Sequence, residues 1–186
     1  MAQKREQRPA RKMKPVFLVF CEGETEETYL DFLRRTYKSP IKIIAKTEGD
    51  SISQRLINKR KKEISISKNE QVATFLMYDL DVTDINKKLK ECNATWLCSN
   101  PCIELWFLLH CQNQKKTIST NTCINQLSKI GGSWEQYEKP NLTQTQKQYL
   151  WDHRAEAVQR AKQLAENQNP SSSIYKLLEF IEDHSK

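Results

Sequence analysis

The fold of this chain is decided by the stretch Val16-Phe17-Leu18-Val19-Phe20-Cys21-Glu22-Gly23-Glu24-Thr25-Glu26. Its first six residues are apolar, and an apolar run of this length that ends at turn residues predicts a strand buried on both faces. Gly23 permits a sharp exit from the strand, and the acidic residues after it suit the positive end of a helix. The stretch therefore predicts a parallel strand followed by a helix, with Glu22 at the junction.

A second predicted strand ends in the same way as the first. The apolar residues 72–78 are followed directly by Asp79-Leu80-Asp81. In open α/β sheets, ligands bind at the carboxyl ends of the strands. We expect the two strands to be neighbours, which would place Glu22 and Asp79 about 5 Å apart in backbone terms.

Strands and helices alternate through residue 111, and this alternation predicts an α/β fold with one mostly parallel, four-stranded sheet flanked by helices. Ser99-Asn100-Pro101 predicts a helix cap with proline at the first helical position. The predicted strands are residues 16–21, 41–46, 72–78 and 94–98, and the predicted helices are residues 25–37, 52–63, 84–92 and 102–111.

The rest of the chain predicts a C-terminal helical extension. Helices are expected at 121–130 and 145–166, and a last helix is expected to start at Asn169-Pro170-Ser171. The predicted organisation is a disordered basic tail over 1–14, an α/β core over 15–111 and a helical extension over 112–186 that packs on the core.

The chain carries a net charge of +7, and much of the excess lies in the tail. Basic tails favour binding to polyanions, although a solubilising terminus is an equally good interpretation. The helix over 145–166 adds arginines beside Trp151. The basic residues of 52–63 are interpreted as a solvated face, and a nucleic-acid contact is the alternative. We expect nucleic acid to contact Lys4, Arg5, Arg11, Lys12, Arg154 and Arg160.

Three features predict a cytoplasmic protein that does not enter the membrane. No apolar run approaches the ~18 residues of a membrane span, and the basic tail lacks the apolar region of a secretory signal. The six cysteines form no C-x-x-C pair, as expected in a reducing compartment. A zinc site is not favoured, because no standard zinc spacing is matched by Cys98, Cys102, His110 and Cys111.

Carboxylates are the candidate functional groups. Glu22, Glu26, Asp79 and Asp81 are expected at one sheet edge, where they repel one another unless a cation or protons intervene. Hard oxygen ligands select Mg²⁺ or Mn²⁺, and two such ions can promote phosphodiester cleavage. The alternative is that these acids only cap helices. Glu104 is a fifth candidate, since a lone carboxylate in so apolar a helix needs a partner.

Four segments together resemble the RloB-like proteins, which belong to the TOPRIM superfamily of topoisomerases, primases and OLD-type nucleases. They are C-E-G-E-T-E-E-T-Y at 21–29, Y-D-L-D at 78–81, S-N-P-C-I-E-L-W-F-L-L-H at 99–110 and N-P-S-S-S-I-Y-K-L-L at 169–178. The resemblance implies a TOPRIM, Rossmann-like core and metal-dependent nuclease chemistry. It also implies a role in bacterial anti-phage defence, often beside an ATPase.

The resemblance also implies roles for individual residues. Glu22 matches the invariant TOPRIM glutamate, and Asp79 and Asp81 match its D-x-D pair. Glu26 matches the second glutamate of OLD-type sites, and Glu104 matches the glutamate of S-N-P-x-x-E. OLD-type nucleases also use a lysine near the scissile phosphate, and no lysine of this sequence is assigned that role.

The leading hypothesis is a nuclease that uses Mg²⁺ or Mn²⁺ to cleave DNA or RNA. Glu22, Asp79 and Asp81 would be catalytic, and the metal ligands would be Glu22, Glu26, Asp79, Asp81 and Glu104. The alternative is a non-catalytic nucleic-acid-binding or adaptor subunit of an ATPase-containing complex. A Rossmann-like nucleotide-binding domain is disfavoured, since no G-x-G-x-x-G follows the first strand. A homo-oligomer is compatible with the sequence.

Overall fold

The computed structural model describes residues 15–37, 42–64 and 72–185 and has an α/β fold, as the sequence predicts. Its strands are β1 (Val16–Cys21), β2 (Lys42–Thr47), β3 (Val72–Met77), β4 (Thr95–Trp96), β5 (Ser99–Asn100) and β6 (Ser171–Ser172). Its α-helices are α1 (Glu24–Tyr37), α2 (Gln54–Glu63), α3 (Thr83–Lys90), α4 (Ile103–Cys111), α5 (Thr120–Lys129), α6 (Gln144–Asp152), α7 (Arg154–Lys162) and α8 (Tyr175–Ser185). Short 3₁₀ turns lie at Gly49–Ser51 and Gly132–Trp134.

The main sheet is parallel and has the strand order β2-β1-β3-β4. The central strand β1 is buried along its whole length, as expected of a strand covered on both faces. It pairs with β3 from Val16 opposite Val72 to Cys21 opposite Met77. The prediction that the first and third strands are neighbours is therefore confirmed. The strand β4 contributes only two residues and is shorter than the predicted 94–98.

The predicted helix start at Ser99-Asn100-Pro101 is wrong. Ser99–Asn100 form β5, which pairs antiparallel with β6, and α4 begins at Ile103 after Cys102. The predicted start of the last helix at 169–171 is wrong for the same reason, since Ser171–Ser172 form β6. The buried hydroxyls of Ser99 and Ser172 lie 3.0 Å apart and hydrogen-bond. Local sequence patterns contain no sign of this long-range pairing.

The predicted single helix over 145–166 is also wrong, because the chain leaves helical geometry at His153. This residue has φ −102° and ψ 16° and separates α6 from α7. Its ring stacks on Tyr149 with the centroids 4.0 Å apart. A hydrogen bond also holds the junction, since the guanidinium of Arg154 donates to the backbone carbonyl of Trp151 at 2.7 Å.

One hydrophobic core joins the sheet to the C-terminal helices. Phe180 of α8 packs edge-on against Phe17 and Phe75, with centroid distances of 5.0 and 5.3 Å. The helix α4 is buried along nearly its whole length, and Trp106 on it donates its indole N–H to the hydroxyl of Tyr29 at 2.8 Å. Among the described residues, no helix is both long and apolar enough to cross a membrane.

Candidate functional site

The carboxyl ends of β1 and β3 are joined through the side chain of Glu22. Its Oε2 accepts a hydrogen bond from the backbone N–H of Asp79 at 2.9 Å, while its own N–H donates to the carbonyl of Met77 at 3.1 Å. Glu22 and Asp79 are therefore close together, as predicted. Burial raises the pKa of Glu22, against the opposing effect of the Asp79 N–H, and the charge of Asp81 raises it further.

Asp79 and Asp81 lie in different surroundings. Asp79 is half-buried, and burial followed by the charge of Glu26 raises its pKa well above the ordinary aspartate value. Beyond Met77, the chain makes one more strand-like contact, a bridge between Asp79 and Ser99. It then bends at residues 80 and 81. Asp81 is exposed in this bend and acts on Glu22 through its charge.

Glu26 lies in the first turn of α1 and is only 5% exposed. Its Oε2 accepts the backbone N–H of Gly23 at 3.1 Å, which satisfies one unpaired donor at the helix start. A Cβ on Gly23 would lie 3.3 Å from that oxygen, so glycine leaves room for the contact. Burial raises the pKa of Glu26 to about 7, and the charges of Glu22 and Glu104 contribute to the rise.

Glu104 is completely buried in the first turn of α4. Its Oε1 accepts from the hydroxyl of Tyr137 at 2.9 Å and from Nζ of Lys139 at 2.8 Å. These contacts confirm that a lone carboxylate in this helix needs partners. Its Oε2 is buried without a hydrogen-bond partner among the described residues, and a buried oxygen of this kind can accept from or coordinate a further group.

Lys139 is the site residue that the sequence did not reveal. Its side chain is 42% exposed, and its positive charge lowers the pKa of both Glu22 and Glu26. Although partial burial lowers the pKa of Lys139, its hydrogen bond to Glu104 and the charge of that residue raise it overall. Lys139 lies in the irregular segment between α5 and α6, which has no periodic pattern that would connect it to Glu104.

The carboxylates offer the oxygen ligands that a hard cation prefers, but among the described residues they are not arranged as a preformed metal site. Glu22, Glu26, Asp79 and Glu104 influence one another electrostatically, and Oε2 of Glu104 offers a further oxygen ligand. Within the described ranges, however, no three histidine, cysteine, aspartate or glutamate side chains converge closely enough to hold a metal ion.

The predicted nucleic-acid contacts divide into two groups. Arg154 lies over the ring of Trp151 at 3.9 Å, and Arg160 donates to the carbonyl of Leu109 at 2.6 Å. Both arginines are half-buried and make intramolecular contacts, so their predicted role stays a prediction. The other predicted contacts lie outside the described residues, and they are Lys4, Arg5, Arg11 and Lys12.

We expect the Glu26→Gln variant to unfold at a higher temperature than the wild type at pH 8 in chelator. The pKa of Glu26 rises from 4.5 to about 7 on folding, so between these values the folded state holds a proton that the unfolded state has lost. Wild-type stability therefore falls as pH rises through this window, by on the order of 3 kcal/mol. Thermal melts should show the advantage of the variant shrinking towards pH 5, and an equal advantage at both pH values would contradict the assignment.

The family model described as RloB-like protein matches residues 17–181 of this chain. The matched range includes all five candidate carboxylates, all of β1 except Val16, and α8 as far as Ile181. No curated protein and no solved structure matches the chain.

Proposed function

Because the chain belongs to the RloB-like family, we propose that it is a divalent-metal-dependent nuclease that hydrolyses phosphodiester bonds of DNA or RNA. The observation that carries the proposal is the group of coupled carboxylates at the carboxyl edge of the parallel sheet, with Lys139 against it. This edge is where open α/β sheets bind their ligands.

A role in helix capping alone does not account for these acids. Asp79 follows β3 and lies before α3, whose first residue is Thr83. Glu104 is fully buried and paired with Lys139 and Tyr137. The raised pKa values of Glu22, Glu26 and Asp79 mean that their ionised forms cost free energy in the folded chain, and such groups are concentrated at functional sites.

Each group has a proposed role. Mg²⁺ or Mn²⁺ would be held by Glu22, Glu26 and Asp79 once these side chains converge on the ion, with Asp81 and Glu104 at the margin. The ion would lower the pKa of a bound water and neutralise phosphate charge. Glu22, fixed by the Asp79 N–H, is a proton acceptor, since its raised pKa brings it nearer to neutral pH. Lys139 is placed to offset negative charge on the scissile phosphate.

The biological setting follows from the family resemblance. We propose a TOPRIM core, supported by the parallel order of β1 and β3 with acids at their carboxyl ends. We further propose a cytoplasmic protein that acts in anti-phage defence with an ATPase partner. The basic tail, which precedes the described residues, is proposed to add nucleic-acid affinity by releasing counterions.

The second candidate function is a non-catalytic nucleic-acid-binding or adaptor subunit. It is favoured by the ion pair between Lys139 and Glu104, which neutralises one buried acid without any metal ion. It is also favoured by the lack of a convergent trio of ligands among the described residues.

Incubation of the purified protein with end-labelled DNA, RNA and transfer RNA separates the two candidates. We expect cleavage with Mg²⁺ or Mn²⁺ and none with chelator, because the reaction depends on the ion. If none of these substrates is cut with either ion, although the protein binds them, the adaptor function becomes the better assignment.

A further inference from the structure

Three cations lie on one face of α2. Arg55, Lys59 and Lys62 occupy positions i, i+4 and i+7, which place them on the same side of a helix, and all three are exposed. None of them forms an ion pair with another described residue, whereas the neighbouring Arg60 pairs with both Glu48 and Glu63 at 2.9 Å. The face therefore presents uncompensated positive charge to solvent.

These cations line a groove of about 850 Å³. Glu48 is the one acid among the described residues that line it. Arg60 offsets the charge of Glu48, whose side chain is only 12% exposed. Ser51 and Ser53 add hydroxyl groups to the wall. The groove thus combines cations with hydrogen-bonding groups and lacks an unpaired carboxylate among its described lining residues, which is a composition suited to phosphate groups.

The groove adjoins the carboxylate site through the turn at residues 48–51. The N–H of Glu48 donates to the carbonyl of Cys21 at 3.0 Å, and the hydroxyl of Tyr78 donates to the carbonyl of Gly49 at 3.0 Å. These bonds fix the turn to the last residues of β1 and to the residue that precedes Asp79. The turn is therefore a wall shared by the groove and the site, and the charge of Asp50 within it acts on Glu22.

We propose that this groove binds the sugar-phosphate backbone of a nucleic-acid strand and directs it across the carboxylate site. The three cations span about 10 Å along the helix axis, which corresponds to roughly three nucleotides of one B-form strand. The assignment replaces the interpretation of this helix as a merely solvated face. Cleavage of the bound strand at the carboxylate site rests on the proposed function. Binding of the strand in the groove can be tested without cleavage.

The test removes the charge of the groove in a triple variant, Arg55→Gln/Lys59→Gln/Lys62→Gln. Binding of short labelled single-stranded DNA, single-stranded RNA and duplex DNA is followed by fluorescence anisotropy in chelator over a range of salt concentrations. We expect affinity to fall about tenfold or more, and the slope of log affinity against log salt to decrease by about two to three, because each lost phosphate contact removes about 0.7–0.9 from the slope.

The matched control removes the same charge from exposed lysines elsewhere. It is Lys115→Gln/Lys116→Gln/Lys129→Gln, and these side chains make no ion pair with described residues. We expect less than about a twofold loss of affinity for this control. Circular dichroism and thermal melts of both variants should match the wild type, because surface substitutions of this kind usually change stability by less than about 0.5 kcal/mol each.

The possible outcomes test binding in the groove separately from cleavage at the carboxylate site. An unchanged salt slope in the groove variant, or an equal loss of affinity in the control, overturns the proposal. A selective loss with DNA alone, with RNA alone or with both supports it and identifies the strand that is bound. If the loss is selective and the wild type cleaves nothing with Mg²⁺ or Mn²⁺, the groove assignment holds and the nuclease proposal fails.

Discussion

Asp79→Asn is expected to lower metal-dependent cleavage by about a hundredfold or more, because an ion contributes several kcal/mol to transition-state stabilisation. A neutral amide is a poorer ligand for Mg²⁺ than a carboxylate. The backbone N–H of residue 79, which holds Glu22 at 2.9 Å, is retained in the variant. The measurement is the rate of cleavage of end-labelled DNA and RNA with Mg²⁺ or Mn²⁺, compared with the wild type.

The same substitution should leave the fold as stable as the wild type, or more stable, in chelator. Asp79 is half-buried, and burial and the charge of Glu26 oppose its ionisation. Removing its charge relieves these costs. Addition of Mg²⁺ or Mn²⁺ should raise the melting temperature of the wild type, since a ligand that binds only the folded state stabilises it. The variant should gain much less.

A matched control for Asp79→Asn is Asp84→Asn. Asp84 is exposed in the first turn of α3 and pairs with Lys87 at 2.9 Å, so the same chemical change there should leave cleavage unchanged. Cys102 is less suitable as a control, because its thiol lies beside Cys123 and Glu104 and is part of the same environment. A wild type without a metal-dependent thermal shift, together with full cleavage by Asp79→Asn, would leave only structural roles for these carboxylates.

The sequence predicts the position of a site residue when that residue directly follows a strand. The unbroken apolar run of β1 and the second run before Asp79 are local patterns, and parallel strands bring their carboxyl ends to one edge. The proximity of Glu22 and Asp79 could therefore be predicted from the sequence alone. The position of Glu104 in a buried helix could be predicted in the same way, from an apolar pattern on all sides of that helix.

The remaining features depend on contacts between distant segments. Lys139 reaches Glu104 from an irregular segment, and hydrophobic periodicity carries no information about such a segment. The pairing of β5 with β6 involves serines that are far apart in the chain, and serine is a common residue in caps and turns. The break at His153 likewise follows from side-chain packing rather than from a proline or glycine.

Lys139→Met is expected to destabilise the protein in chelator at neutral pH. It leaves the fully buried Glu104 carboxylate without its cation, and it also removes a positive charge that acts on Glu22 and Glu26. Removing one partner of a fully buried pair costs about 3–5 kcal/mol. Because Lys139 is 42% exposed, solvent screening reduces the expected cost to about 2 kcal/mol, which corresponds to a fall of about 4–8 °C in melting temperature.

A double-mutant cycle with Glu104→Gln tests whether the lost ion pair causes this effect. The amide keeps an oxygen that can accept from the Tyr137 hydroxyl, so Lys139→Met in this background should cost less than about 0.5 kcal/mol if the charge pair dominates. Lys129→Met, an exposed position on α5, is the control and should melt within about 2 °C of the wild type. Mg²⁺ or Mn²⁺ should restore part of the stability that Lys139→Met loses, because a bound cation replaces the missing positive charge. An equal cost of Lys139→Met in both backgrounds would show that Lys139 acts through packing and not through the carboxylate.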